Sequence, residues 1–209
     1  MHPHIVRVTD LIPDPPGLVL ELVEGESLAT ALARGRFAPR EALAILLPVL
    51  DAVGFAHARE VVHRDLKPDN ILLRRTERGL VPMVSDFGIA KLRNGLSATR
   101  TRAALGTPAY MSPEQVRSPK AVDHRTDIFA LGAILYELLT GRQAFEGETD
   151  FGIQQKIVEG RFEAPETLVS GLPPQLCDVS RRALDTNPEA RFQSCAEMAA
   201  ALQAAAAGR

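Results

Sequence analysis

The segment at residues 124–140 limits the choice of fold more than any other part of the chain. Its large apolar residues lie on all sides of a helix, at Ile128, Phe129, Leu131, Ile134, Leu135, Leu138 and Leu139. A helix that is apolar all round has to be covered by other elements. The chain has 209 residues, enough to supply that cover. We therefore predict a domain built around one central helix.

The rest of the chain is mostly helical in pattern, with a few strands. The predicted helices are 39–59, which Pro39 begins, and the amphipathic segments 149–159, 173–185 and 194–206. The predicted strands are 5–8, 18–23, 71–73 and 80–84, with turns at 12–17 and 74–79. Two strands alone do not make a stable sheet. The pattern therefore predicts an α+β chain, mostly helical, with a small strand-containing unit in front.

The composition excludes several classes of protein. The net charge is −2, whereas a nucleic-acid-binding protein usually has a basic excess. No stretch approaches the ~20 apolar residues of a membrane span, and residues 1–4 lack the basic and apolar regions of a signal peptide. The two cysteines, Cys177 and Cys195, are not spaced as a metal or disulfide pair. We expect a cytoplasmic protein with no membrane segment and no nucleic-acid partner.

The strongest chemical signal is the sequence H-R-D-L-K-P-D-N at residues 63–70. D-F-G follows at residues 86–88 and G-T-P-A-Y-M-S-P-E at residues 106–114. This series resembles the protein kinases, in which H-R-D-L-x-x-x-N is the catalytic loop. A lysine two residues after the aspartate is typical of the serine/threonine kinases, and the pattern is similar to the bacterial members. The resemblance covers essentially the whole chain and implies a protein-kinase-like fold with a helical C-terminal lobe.

The resemblance implies a role for each polar residue of these motifs. Phosphoryl transfer needs groups that position the reactants and neutralise charge. Asp65 would orient the substrate hydroxyl and accept its proton, while Lys67 would face the transferred phosphoryl group. Asn70 and Asp86 would hold Mg²⁺, which prefers oxygen ligands. The implied reaction moves the γ-phosphoryl group of ATP onto Ser or Thr of a protein substrate.

Other residues of the pattern are expected to be structural. Asp127 and the pair Glu114–Arg191 resemble the groups that brace the catalytic and activation segments of a kinase. His63 resembles a residue that packs near Phe87, and Gly88 would let the backbone after Asp86 adopt angles that a side chain penalises. His57, on the helix before residues 63–70, is interpreted as a packed helix residue, and Glu60 stands where relatives often have a helix-ending glycine.

Residues 92–102 resemble an activation loop. Ser97, Thr99 and Thr101 are the candidate phosphate acceptors, and the sequence leaves open which of them is used. A phosphate here could pair with Arg64 and order the loop. Thr107 resembles the threonine that lies near the catalytic aspartate in the substrate pocket. An ordinary polar loop is the alternative interpretation.

The resemblance also implies an adenine site, at residues that core packing would explain equally well. Leu18 to Val23 resembles the strand that runs into the kinase hinge. Leu20 would be the gatekeeper, backbone groups of Glu21 and Val23 would bind the adenine edge, and Leu72 would form the floor under the ring.

Three kinase elements have no candidate in the sequence: the glycine-rich loop, the strand lysine and the helix glutamate. Lys67 is the first lysine of the chain. We therefore expect residues 1–24 to be a two-strand remnant of the N-terminal lobe with its hinge, and residues 25–209 to be the C-terminal lobe. Such a chain by itself would bind ATP poorly and transfer phosphate very slowly, because each missing charge-stabilising group costs about 10²–10³ in rate.

Unpaired N-terminal strands would also leave an apolar surface exposed. That surface favours association with the missing lobe or with a second copy of the chain. The alternative function is a non-catalytic kinase-like module that binds a partner protein through its helical lobe.

Overall fold

The helices of the chain surround one buried helix, as the sequence predicts. The computed structural model describes residues 1–77, 79–87, 108–118 and 122–208. Its helices are α1 (Leu28–Leu32), α2 (Pro39–His57), α3 (Pro113–Arg117), α4 (Arg125–Thr140), α5 (Asp150–Glu159), α6 (Pro165–Leu168), α7 (Pro174–Ala183) and α8 (Cys195–Ala206). Helix α4 is the central one, and from Thr126 to Thr140 all of its residues except Glu137 are buried.

Two groups of apolar side chains cover α4 on opposite sides. Helices α2, α7 and α8 form the larger core with it, and α2 contacts both α4 and α8. On the other side, Phe129 and Tyr136 of α4 join a second core with Phe145 and Ile157. The Phe129 and Phe145 rings are stacked with their centroids 5.8 Å apart. Helix α4 is thus buried because one apolar core covers each of its two sides.

The predicted long helices are all present within about two residues of their expected ends. Helix α2 begins at Pro39, where a proline lacks only an N–H that would have no helical partner. The Glu41 side chain accepts the Ala38 N–H at 2.8 Å and so caps the first turn. The short helices α1, α3 and α6 were not predicted, since segments of four or five residues carry too little periodicity to detect.

A three-stranded antiparallel sheet lies beside this helical core. Its strands are β3 (Gly25–Ser27), β4 (Ile71–Thr76) and β5 (Gly79–Val84), in the order β3-β4-β5. A Cβ at Gly25 would lie 2.0 Å from the Leu73 carbonyl oxygen, so β3 can approach β4 only with a glycine at that position.

The N-terminal strands differ from the prediction in both their bounds and their pairing. Strands β1 (Val8–Pro13) and β2 (Pro16–Leu20) form an antiparallel hairpin with each other. The expectation that the N-terminal strands are unpaired is therefore wrong. The turn predicted at residues 12–17 is present but shorter, at residues 14–15. Pro13 pairs with Pro16 at the end of the hairpin, where a missing N–H costs no ladder hydrogen bond. Residue 5 instead makes an isolated parallel bridge to Val84.

The hairpin exposes several large apolar side chains, as expected for this part of the chain. No residue of β1 is buried, and Leu11 is 67% exposed. The exposed apolar residues of the hairpin and the segment after it are Val8, Leu11, Ile12, Val19, Leu20 and Leu22. The division of the chain at residue 24 stays a prediction. None of the described helices is long and apolar enough to cross a membrane.

We expect Gly132→Ala to destabilise the fold by overpacking. A Cβ at Gly132 of α4 would lie 2.5 Å from the Ala183 Cβ and 3.3 Å from the Ala183 carbonyl carbon of α7. Alanine gains about 1 kcal/mol in helix propensity, but forcing two backbones apart costs about 1–3 kcal/mol. The expected net loss in the free energy of unfolding is about 1 kcal/mol, measured by urea denaturation. Gly152→Ala, whose Cβ would meet only the Thr149 hydroxyl, is the control; a gain in stability for Gly132→Ala would contradict the packing.

We expect Glu60→Gly to stabilise the end of α2. Glu60 has φ 59°, in the left-handed region that favours glycine, while the Val61 N–H closes the helix on the Ala56 carbonyl. A non-glycine residue there costs about 1–2 kcal/mol, part of which glycine loses again in the unfolded state. The expected gain is about 0.5–1 kcal/mol in thermal unfolding. Glu60→Ala keeps the backbone cost, so an equal gain from alanine would show that the φ angle is not the cause.

Candidate active site

Residues 63–70 form a loop between α2 and β4. The loop is anchored in the core at Leu66 and exposed to solvent at Asp65. The Leu66 side chain is buried in the core, and Pro68–Asn70 makes one 3-10 turn. The Asp65 side chain is 59% exposed, and its Oδ2 lies 3.3 Å from Lys67 Nζ. A carboxylate and an ammonium group are thus presented together at the surface.

Asn70 ties this loop to the segment that contains Asp86. The Asn70 side-chain amide donates to the Asp65 carbonyl oxygen at 2.7 Å, and the Asn70 carbonyl accepts the Ser85 N–H at 2.9 Å. The Ser85 hydroxyl donates to Asp86 Oδ2 at 3.1 Å. Asp65, Asn70 and Asp86 therefore belong to one hydrogen-bonded unit, with Asp86 exposed at its surface.

The donor set of Asn70 and Asp86 suits a magnesium ion. Because the Asn70 NH₂ group donates to the Asp65 carbonyl, its amide oxygen is the atom left to act as a ligand. Mg²⁺ takes one or two protein oxygens and keeps its other positions for water and phosphate. The described residues contain no cluster of three His, Cys, Asp or Glu side chains that would enclose a metal completely.

His63 connects the loop to the D-F-G segment. Its side chain is buried, its Nε2 lies 2.8 Å from the Ser85 carbonyl oxygen, and its ring centroid is 4.7 Å from that of Phe87. The packing expected between His63 and Phe87 is thus present as a contact of the two rings. This contact joins the segment just before Asp65 to the residue just after Asp86.

The Asp127 carboxylate holds the backbone just before Asp65. Oδ2 accepts the His63 N–H at 2.8 Å, and Oδ1 accepts the Arg64 N–H at 2.9 Å. Arg64 has φ 69° and Asp86 has φ 63°, so two non-glycine residues of the site adopt the left-handed region. Backbone angles of this kind persist only where the surroundings impose them. Asp127, in the first turn of α4, supplies that constraint for Arg64.

His57 is a member of the site that the sequence analysis missed. Its Nε2 lies 2.8 Å from Asp127 Oδ2, although the two residues are 70 positions apart in the chain. The interpretation of His57 as a packed helix residue is incomplete, since the side chain also makes this polar contact. No local spacing could reveal it, because the two residues meet only in the folded chain.

Glu114 and Arg191 form a bidentate ion pair under the site. Arg191 is fully buried, and its Nη1 and Nη2 donate to the two Glu114 carboxylate oxygens at 2.7 and 2.8 Å. Arg191 also donates to the Asp185 and Arg125 carbonyls, which satisfies more of the guanidinium. Burial by itself would raise the Glu114 pKa, but the hydrogen bonds and charge of Arg191 hold that pKa below its ordinary value.

A cavity of about 620 Å³ opens beside Lys67 and Asn70. Tyr110, Glu137 and Gln143 lie on its other side: the Tyr110 hydroxyl donates to Glu137 Oε2 at 2.5 Å and accepts from the Gln143 amide at 3.2 Å. Burial, followed by the Asp69 charge, raises the Glu137 pKa despite the bond from Tyr110. The sequence analysis assigned none of these three residues, although Tyr110 lies within the motif at residues 106–114.

Two of the four predicted adenine contacts lie in different sheets, and the other two lie in the segment that follows β2. Leu20 ends β2 in the hairpin, whereas Leu72 belongs to β4 of the three-stranded sheet. Between them, Glu21 is tied to Arg7, whose carbonyl accepts the Glu21 N–H at 2.9 Å. Within the described part of the chain, the backbone hydrogen bonds leave the Glu21 carbonyl and the Val23 N–H unused.

Five of the predicted site residues lie outside the described residues. They are Gly88, Ser97, Thr99, Thr101 and Thr107. Arg64, the predicted partner of a phosphate, is described: its Nε is buried and has no hydrogen-bond partner among the described residues.

Comparisons with known proteins point to one family. The family model described as protein kinase domain matches residues 1–203. The serine/threonine-protein kinase PknL of Mycobacterium tuberculosis is 38% identical over 192 residues, which cover 91% of this chain and 47% of PknL. The probable serine/threonine-protein kinase CE0033 of Corynebacterium efficiens is 39% identical, covering 97% of this chain and 32% of its own. PknB of Mycolicibacterium smegmatis is 37% identical, covering 96% and 33%. The chain thus spans about half or less of the length of these relatives.

We expect Glu114→Gln to destabilise the fold by about 3 kcal/mol, since it leaves the Arg191 charge buried without its partner. The Glu114 pKa is lower in the folded than in the unfolded chain, where it is about 4.3. The pair therefore contributes its full stability above that pH and loses it as the pH falls through the folded pKa.

The measurement is the free energy of unfolding between about pH 6 and pH 3 for both proteins. The wild-type advantage over Glu114→Gln should shrink as the pH falls. Glu146→Gln, at the exposed pair with Arg142, is the control and should cost less than about 1 kcal/mol. A constant difference across the pH range would contradict the assignment.

Proposed function

Since the chain belongs to the protein kinase domain family, we propose that it carries the phosphotransfer site of a serine/threonine protein kinase. The reaction is the transfer of the ATP γ-phosphoryl group to a Ser or Thr hydroxyl of a protein substrate. One observation carries the proposal: the exposed Asp65 carboxylate lies beside Lys67 Nζ, while its own backbone is fixed by the Asn70 amide. That arrangement suits a carboxylate that binds the hydroxyl of a substrate while its own backbone stays in place.

The proposed roles follow from these positions. Asp65 accepts a hydrogen bond from the substrate hydroxyl, orients its oxygen towards the phosphorus and takes its proton. Lys67, 3.3 Å from Asp65, places a positive charge where the transferred phosphoryl oxygens would lie. The cavity lined by Lys67, Asn70 and Tyr110 leaves room for the residues next to the acceptor hydroxyl.

We also propose that ATP and Mg²⁺ bind here, as the family uses them. The Asn70 amide oxygen and the Asp86 carboxylate would hold the metal, which neutralises phosphate charge when bound. For the adenine edge, the Glu21 carbonyl is the proposed acceptor and the Val23 N–H the proposed donor, with Leu20 and Leu72 as apolar contacts. The unused hydrogen-bonding capacity of Glu21 and Val23 among the described residues supports this assignment.

Regulation by phosphorylation is a further part of the proposal. A phosphate on Thr99 or Thr101, or on Ser97, would pair with the Arg64 guanidinium and order the segment before Thr107. The support is the position of Arg64, which Asp127 fixes through its backbone and whose Nε has no described partner.

The proposed setting is the cytoplasm, where ATP is available and thiols stay reduced. Both cysteines are buried and free, which agrees with a reducing compartment. The exposed apolar side chains of the β1–β2 hairpin, Leu11 above all, are proposed to be covered by N-terminal lobe elements or by a second copy of the chain.

The product of the longest reading frame that contains these 209 residues is the protein to assay, because the relatives are longer. A frame that encodes a glycine-rich loop, a strand lysine and a helix glutamate upstream of Met1 would complete the kinase set. A frame that closes without them would favour the partner-binding module over the enzyme.

In that protein we expect Asp65→Asn to lower phosphate incorporation by about 10²–10⁴, because the amide cannot accept the proton. Transfer of labelled phosphate from ATP to a protein substrate is the measurement, and the thermal unfolding temperature should stay unchanged because Asp65 is exposed. Asp178→Asn removes the same charge from an exposed position on α7 and should leave the rate unchanged. Labelling of Asp65→Asn at the wild-type rate would show that Asp65 is not the base.

A further inference from the structure

The buried contact between Asp127 and His57 continues to a third side chain. The Asp127 side chain is 1% exposed, and His57 Nε2 is 2.8 Å from its Oδ2. On the opposite side of the imidazole, the Cys195 Sγ lies 3.7 Å from His57 Nδ1. Three helices, α2, α4 and α8, therefore meet at one line of polar atoms inside the larger core.

The contacts determine which nitrogen of His57 carries a proton. A carboxylate oxygen only accepts hydrogen bonds, so Nε2 has to be the donor to Asp127. Nδ1 is then an acceptor if the ring is neutral and a second donor if the ring is charged. The atom that faces Nδ1 decides between these two states.

That atom belongs to a thiol in its protonated form. Burial, and then the negative charge of Asp127, raises the Cys195 pKa. A protonated thiol is a weak donor, so in this contact the Cys195 S–H is the donor and His57 Nδ1 is the acceptor. The other ring beside His57 is that of His124, edge-on with a centroid distance of 5.4 Å.

The position of Cys195 is fixed by its neighbours. It is the first residue of α8, and the Ser194 hydroxyl caps the helix by accepting the Glu197 N–H at 3.1 Å. Its Cβ lies where Gly54 of α2 leaves space: a Cβ on Gly54 would be 3.3 Å from it. Gly54 is three residues before His57, on the same face of α2, so the missing side chain brings α8 close to the imidazole.

We propose that Cys195 is a positioning residue for the catalytic loop and acts on it through His57. The Cys195 thiol donates to Nδ1 and holds the imidazole ring in place. The Nε2 of that ring then keeps the Asp127 carboxylate in the orientation that accepts the His63 and Arg64 N–H groups. Asp65 follows Arg64 directly, so the orientation of the buried Asp127 carboxylate determines where the backbone places the exposed Asp65 carboxylate. Only the kinetic consequence of this arrangement rests on the proposed kinase function.

The first test is a nuclear magnetic resonance measurement on the 209-residue chain, without ATP or substrate. The ¹⁵N shifts of His57 should show Nε2 protonated and Nδ1 unprotonated. In Cys195→Ala the amides of His63 and Arg64 should exchange with solvent about 3-fold to 10-fold faster relative to the α4 amides, the range for one lost hydrogen bond. Cys195→Ser keeps a hydroxyl donor and should restore the wild-type exchange.

Cys177→Ala is the matched control. Cys177 is the other buried free cysteine, on α7, so its replacement also removes a buried sulfur from the larger core. It should leave the His57 shifts and the exchange of His63 and Arg64 unchanged. A role of Cys195 in packing alone predicts instead that serine behaves like alanine and that amides throughout α8 exchange faster.

The second test is steady-state kinetics on the product of the longest reading frame that contains these residues. Cys195→Ala should lower kcat about 3-fold to 10-fold with little change in the KM for ATP, and Cys195→Ser should recover most of the loss. A wild-type protein without activity would overturn the proposed function but not the positioning role, which the first test decides. A His57 ring protonated on Nδ1, or equal exchange in wild type and Cys195→Ala, would overturn the positioning role.

Discussion

The structure depends on one buried carboxylate. Asp127 is held inside the protein at the start of α4, and three donors satisfy it: the His63 N–H, the Arg64 N–H and His57 Nε2. Burying a charge without such partners costs several kcal/mol or more, so the burial of Asp127 requires the loop at residues 63–70 and α2 to be in place. The surface chemistry at Asp65 is thereby coupled to the formation of the helical core.

A second buried charge, that of Arg191, is also satisfied by hydrogen bonds to distant parts of the chain. The Arg191 guanidinium is fully enclosed, and its donors go to the Glu114 carboxylate and to the carbonyls of Arg125 and Asp185. Both charges therefore join segments that are far apart in the sequence. The apolar cores determine how the helices pack. The hydrogen bonds of Asp127 and Arg191 determine where the segments that contact them lie on the helices.

The sequence could predict the elements whose pattern lies within one continuous segment of the chain. Helix α4 follows from its apolar residues, and the polar residues of the loop follow from a motif whose spacing is itself local. Strand β3 and the short helices could not be predicted, because three to five residues contain too few repeats of a pattern to be recognised. The contacts of His57 with Asp127 and with Cys195 could not be predicted either, since each joins residues at least 70 positions apart. The bounds of β1 were wrong because Pro13 and Pro16 indicate a turn, whereas both belong to the paired strands on either side of it.

The contact of α4 with α7 has a consequence for the history of the sequence. Gly132 and Ala183 share a space that holds one methyl group and no more. The two positions therefore behave as a single volume: a relative that gains a methyl group at the first has to lose one at the second to keep the helices at this distance. Across many relatives the two residues should vary together rather than independently, even though neither is near the chemistry.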